Sequence, residues 1–159
     1  MPRKVTKSLV RPVAPDRLYN STQVTKLINR VMLNGKKQLA EKLVYDGMQQ
    51  AADKLKIQNP LEVLEQALGN IQPHLETRSR RVGGANYQIP FEVKGQRQQH
   101  LTIMWFVEAA RSRSGMSMDK RIAAELVDAY NSAGGAVKKR EDVHKMAEAN
   151  RAFAHFARS

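Results

Sequence analysis

Between Pro73 and Gly95 the spacing of the apolar residues drops from a helical period to two. Tyr87, Ile89, Phe91 and Val93 alternate with Gln88, Pro90 and Glu92, and upstream Leu75, Thr77 and Ser79 alternate with Glu76, Arg78 and Arg80. Successive side chains of a strand point to opposite faces, so the alternation reads as two extended segments. Gly83-Gly84 stands between them, and glycine supplies the positive φ that a tight reversal needs. The pattern predicts a β-hairpin over about residues 74–92. Pro90 has no N–H for a ladder, which assigns it to an outer edge or a strand end.

On both sides of this stretch the period is helical. Val24, Leu27, Ile28, Val31 and Met32 make one apolar face, closed by Asn34-Gly35. Lys36-Lys37 opens a second helix with the stripe Leu39, Leu43, Val44, Met48, Ala51 and Leu55. Asn59, Pro60 and Glu62 predict the capped start of a third, in a capping box, with Leu64, Ala67, Leu68 and Ile71 inward. After Gly95 almost every residue from Leu101 to Ala110 is apolar, as expected of the buried centre of a bundle, with Trp105 in the core. Ser117 is placed to cap a fifth helix bearing Ile122, Leu126, Ala129 and Tyr130, and Gly134-Gly135 separates it from a sixth that starts near Ala136. The expected fold is mainly α: a six-helix bundle with an inserted, protruding two-stranded β-hairpin and a basic N-terminal arm. The arm covers residues 1–19, where Pro2, Pro12 and Pro15 forbid a helix, and residues 20–159 form a single helical domain.

Several chemistries are excluded by residue type. With no cysteine there is no disulfide framework, thiol nucleophile or thiolate metal site. His74, His100, His144 and His155 never fall at i+3 or i+4 from one another, so no helical metal site is predicted, and they read as surface or RNA-stacking residues. Asn34-Gly35-Lys36-Lys37 lacks the earlier glycine and the following Ser/Thr of a phosphate loop, and neither glycine pair completes a dinucleotide fingerprint. Glu141-Asp142 sits beside Lys138, Lys139 and Arg140, where helix-surface ion pairing accounts for it. We expect no enzyme, no cofactor and no metal. No apolar run approaches the roughly 18 residues of a membrane span, so no membrane contact is predicted.

Charge then points to a partner. Lys and Arg number 27 against 15 Asp and Glu, a net +12. Self-repulsion of this size costs stability, and an acidic surface would serve solubility equally well. A polyanion, nucleic acid before membrane surface, is the expected counterpart. The cations fall into groups: Arg3, Lys4 and Arg11 on the arm; Lys36 and Lys37 at a helix start; Arg78, Arg80, Arg81, Lys94 and Arg97 on the hairpin and its exit; Arg111, Arg113 and Met116 at a joint between helices; Lys138, Lys139 and Arg140 on the last helix. At the tip, Val82, Gly83 and Gly84 let backbone approach a phosphate or sugar. Asn86 offers hydrogen bonds to a base edge or 2′-OH, while Tyr87 shares the Ile89/Phe91 face and reads as packing. A helix-turn-helix DNA regulator built on the last two helices is the alternative.

The segments SRRVGGANYQIPFEV, MLNGKKQLAEKLVY and GGAVKKREDVHKMAEANRAFAHF together resemble bacterial ribosomal protein seven of the small subunit, in order from about Asp16 onward. The resemblance implies a structural constituent of the small ribosomal subunit. It implies a primary binder of the 3′ major domain of small-subunit rRNA that nucleates assembly of the head. It puts the hairpin tip (Arg80, Arg81, Val82, Gly83, Gly84 and Asn86) near exit-site tRNA and the mRNA exit channel. Lys36, Lys37, Lys94, Arg97 and the Arg111–Met116 joint then fall on the rRNA side. Ribosomal proteins eleven and nine become neighbours, and the location cytoplasmic, with a plastid ribosome left open. Residues 94–99 are less arginine-rich than usual for the family, Asn86 stands where Thr is common, and the first fifteen residues match poorly.

Overall fold

The computed structural model describes residues 12–157. The helices are α1 (Thr22–Val31), α2 (Lys37–Leu55), α3 (Pro60–Ile71), α4 (Gly95–Ser112), α5 (Met118–Tyr130) and α6 (Gly134–Ala149). Strands β1 (Leu75–Val82) and β2 (Ala85–Glu92) form one antiparallel hairpin between α3 and α4, and a 3-10 helix, Arg151–Ala157, follows α6. This is the mainly helical bundle with an inserted hairpin that the apolar periods predict. Arg3, Lys4 and Arg11 of the expected arm lie outside the described residues. Asp16, near the end of the expected arm, is tied to the helical body: its carboxylate accepts the N–H groups of Leu18, Tyr19 and Ser21 and the Tyr45 hydroxyl.

Helix α4 forms the centre. It buries Leu101, Ile103, Trp105, Phe106, Val107 and Ala110 and touches α1, α3, α5 and α6. Helices α1, α3 and α5 bury most of the stripe their periods predict, and α2 shows a shift. On α2 Leu39 is 53% exposed, and the buried line runs through Ala40, Val44, Gly47, Met48, Ala51 and Ala52. The reason is close packing. A Cβ on Gly47 would lie 2.8 Å from Ile122 Cγ2 and 3.0 Å from the Asp119 carbonyl, so α5 sits against bare α2 backbone. Small residues define this face, and a stripe drawn through the large ones misses it.

The helix ends also differ in detail. Helix α1 closes at Val31, and Asn34 (φ 51°) and Gly35 (φ 73°) form the turn beyond it rather than its cap. Asn59 caps α3 by accepting the Leu61 N–H at 3.1 Å, a single bond in place of the reciprocal box with Glu62. Ser117 occupies the N-cap position of α5 without capping it. Its hydroxyl instead helps, with Gln50, to hold the Asp119 carboxyl below the usual carboxylate range. Helix α6 starts at Gly134, not Ala136.

The hairpin pairs Leu75 with Glu92 through to Val82 with Ala85. Gly83 and Gly84 take φ of 57° and 90°, the double positive φ of a type I′ turn. Opposed residues share a face, so Glu76, Arg78 and Arg80 lie with Phe91, Ile89 and Tyr87, and Arg81 lies with Asn86 on the other. The hairpin is seated at both ends. The His74 N–H donates to His144 Nε2 on α6 at 3.0 Å, and Tyr87 packs on Phe153 and Phe156 with ring centroids 5.1 and 5.4 Å apart. The packing expected for Tyr87 is therefore real, but against the C-terminal 3-10 helix rather than the bundle core.

Candidate nucleic-acid interface

Glu76 opens the interface at the root of the hairpin. Its carboxylate is buried, and it pairs with Arg78 on its own strand and with Arg97 in the first turn of α4, the latter at 3.1 Å. The Arg78 guanidinium also lies 5.5 Å from the centroid of the Phe91 ring, a cation–π contact. Lys94, just before α4, pairs with Glu92 at 2.6 Å on an exposed rim. Their hydrogen bond and mutual attraction hold the Glu92 carboxyl down and the Lys94 amine up in pKa.

From that root the cations continue along α1 and α4. Gln99 on α4 accepts from Lys26 of α1. Lys26, Asn29 and Arg30 face Gln96, Gln99 and His100 across a groove between the two helices, with Pro12 and Val13 at its rim. Arg111, at the far end of α4, donates to the carbonyls of Arg30 and Val31 at 3.2 and 3.3 Å, and so caps α1. Arg121 then donates to the carbonyls of Met116, at 2.7 Å, and Arg111, at 3.4 Å. Lys36, Arg111 and Arg121 rim a second depression whose walls include Leu33, Leu39 and Leu43. Exposed Leu33, Leu39 and Met116 put apolar surface among these charges. Lys37 stands at the start of α2, 3.9 Å from Glu41.

Not every expected cation reaches the surface. Arg113 turns inward. Its guanidinium contacts Glu125, which is 1% exposed, at 2.6 and 2.9 Å, and also Asp128. Burial works against its charge, but the bonds to Asp128 and Glu125 outweigh burial and raise its pKa. The other Glu125 oxygen accepts the Ala136 N–H at 2.9 Å, so one carboxylate ties the α4–α5 joint to the first turn of α6. Arg140 likewise turns in, donating to the Asn70 carbonyl at the end of α3 and pairing with Glu141. Lys138 and Lys139 are exposed on α6. At the hairpin end, Arg80 donates to the Phe156 carbonyl at 2.8 Å, while Arg81, Gly83, Gly84 and Asn86 are exposed and Val82 is half-buried.

The pattern of the family described as ribosomal protein S7p/S5e matches residues 2–151. The chain belongs to the ribosomal protein S7p/S5e family. Curated relatives agree. The small ribosomal subunit protein uS7 of Moorella thermoacetica is 59% identical over 146 residues, covering 92% of this chain and 93% of that one. Its namesake from Symbiobacterium thermophilum is 57% identical over 146 residues, with 92% and 93% covered. That from Thermosipho africanus is 55% identical over 147 residues, with 92% and 94% covered. The family match starts at residue 2, so it takes in the first fifteen residues that the motifs left out. It ends at Arg151, so most of the 3-10 helix lies beyond it. S7p/S5e membership sets aside the DNA-regulator alternative.

Lys26, Asn29, Arg30, Gln96, Gln99 and Arg121 do not stand out as clustered charge in the sequence, whereas His100 already reads there as a surface or RNA-stacking residue. The signal was present in another form. Lys26, Asn29 and Arg30 stand at i, i+3, i+4, and so do Gln96, Gln99 and His100. That is the helical spacing of a shared face, here a polar one.

Proposed function

We propose that this chain anchors the 3′ major domain of small-subunit rRNA, nucleates assembly of the subunit head, and extends its hairpin tip toward exit-site tRNA and the mRNA exit channel. Family membership makes it a structural, non-enzymatic constituent of the small ribosomal subunit. Among the described residues no group of His, Asp and Glu is arranged to hold a metal, and no helix is long and apolar enough to cross a membrane.

The observation that carries the RNA reading is the continuity of the cationic path. It runs from Lys26 and Arg30 to Arg111, Arg121 and Lys36, each step linked by a contact or a shared groove, and the Arg78–Arg97 corner adjoins it in sequence, Arg97 following Gln96 of the same groove at the start of α4. A solvated charged face has no need of such continuity. A folded RNA backbone, with a phosphate at every nucleotide, does. Lys37, Lys94 and Met116 flank this path and join the proposed rRNA contacts, as do Lys138, Lys139 and the arm residues Arg3, Lys4 and Arg11. Arg113 and Arg140 serve it indirectly, by fixing the joint and the α3–α6 contact. Arg80, Arg81, Val82, Gly83, Gly84 and Asn86 serve the tRNA and message path. Ribosomal proteins nine and eleven are the proposed protein neighbours.

Salt titration of binding to a transcript of the 3′ major domain tests this reading. About six phosphate contacts predict a log–log slope near −4 to −5. A flat response would sink the electrostatic account. Residue-mapped crosslinking within intact small subunits would separate the rRNA side from the tip.

A further inference from the structure

Glu76 is out of place in a polyanion-binding corner. A carboxylate repels phosphate, and burying one is costly unless it is paired and hydrogen-bonded. Its side chain is only 8% exposed. Each of its oxygens holds a different arginine. Oε1 accepts from Arg78 Nε and Nη2, while Oε2 accepts from Arg97 Nε and Nη2, both at 3.1 Å. Arg78 belongs to β1 and Arg97 to α4, so this one carboxylate fastens the hairpin root to the helical body. Phe91, the cross-strand partner of Glu76, flanks Arg78 from the other side. The two arginine side chains stay 58% and 50% exposed. A guanidinium has five N–H donors, more than these contacts use, so both keep donors beyond those given to Glu76.

We propose that Glu76 is a positioning residue for RNA binding: it holds Arg78 and Arg97 as a preset pair of guanidiniums for neighbouring backbone phosphates, without touching RNA itself. The inference rests on the rRNA-binding reading above. Without Glu76 two like charges repel, and two long side chains regain rotamer freedom that binding must remove again. The rival view is simple charge. On that view Glu76 weakens attraction to RNA, and its removal tightens binding.

The two views differ in sign, which makes the test direct. Affinity of the full chain for the 3′ major domain transcript is measured across a salt series for the native protein, E76Q, the pair R78A/R97A and the triple variant. E76Q is expected to weaken binding about tenfold and to flatten the salt slope by about 0.7–0.9 for each phosphate no longer neutralised. In the R78A/R97A background the same change is expected to leave affinity equal or improved, because only its charge effect remains. Tighter binding by E76Q in the native background overturns the proposal, as does an equal loss in both backgrounds. Unchanged affinity of R78A/R97A removes the RNA role of this corner itself, a distinct failure that takes the proposal with it. E76D keeps the charge and shortens the reach. It is expected to lose affinity as E76Q does, and native affinity for E76D also overturns the proposal. If circular dichroism shows E76Q unfolded, the E76D comparison decides alone.

Discussion

Two contacts, Arg113 with Glu125 and His144 with His74, decide how the joints of this fold respond to change. The half-buried Arg113 pairs with the buried Glu125, which also ties down the Ala136 N–H. Removing one partner strands the other, so Arg113→Ala should cost about 3–5 kcal/mol in urea denaturation. A loss under about 1 kcal/mol, the range of a surface pair, would mean that water or another side chain takes up the Glu125 charge. Any RNA-binding defect of that variant should follow its stability, unlike the defects of surface cations. His144 acts at the hairpin root. Its Nε2 accepts the His74 N–H, which requires a neutral ring. Burial, with the Arg140 and His74 charges nearby, moves its pKa below the ordinary histidine value. The unfolded chain therefore binds the proton first as pH falls. Stability from this group is complete above the unfolded value near 6.5 and is lost as pH drops toward the lower folded value. In His144→Gln, which cannot titrate, the fall in denaturation midpoint across that window should shrink. An unaltered pH profile would assign the dependence to other groups.

Elements meet here through small residues as much as through large ones. Gly47 lets α2 and α5 approach to backbone contact, and Gly47→Ala would drive a methyl into Ile122 and the Asp119 carbonyl. Overpacking of this kind should cost about 1–3 kcal/mol, measured by urea denaturation. A neutral result would show that α5 can shift outward freely. The same contact explains what the sequence could and could not convey about α2. Leu39 looks like the start of an apolar stripe, yet the stripe that packs is Ala40, Val44, Gly47, Met48, Ala51 and Ala52. Periodicity finds a face by its large side chains, and tight packing selects a face by its small ones. The hairpin was easier to read, because alternation and a Gly-Gly turn are both local signals. Arg113 and Arg140 were harder. An arginine looks the same in sequence whether it faces solvent or a buried acid, and Glu125 lies twelve residues from Arg113.

Across the whole molecule, charge and anchoring meet at the hairpin root and part beyond it. The cationic path follows α1 and α4, while the outer part of the hairpin is held by α6 and the C-terminal 3-10 helix. A two-stranded hairpin is marginal by itself in water. Here Tyr87 packs on Phe153 and Phe156, and Arg80 donates to the Phe156 carbonyl. Two aromatic pairs are worth about 1–3 kcal/mol beyond their buried area, roughly a 5- to 150-fold change in an opening equilibrium. A chain ending at Asn150 should therefore keep the protection of its α4 amides, because Phe106 and its neighbours pack on helices alone. The amides of β2 from Ala85 to Ile89 should exchange at least about fivefold faster by hydrogen–deuterium exchange, the lower end of that range. Among the described residues these contacts hold the outer half of the hairpin, while the His74–His144 bond, the Thr77–Met146 contact and the Glu76 pairs secure the part nearer its root. Unchanged exchange in β2 would mean that the root alone sets the hairpin's order. In that case the C-terminal aromatics are free to serve another surface.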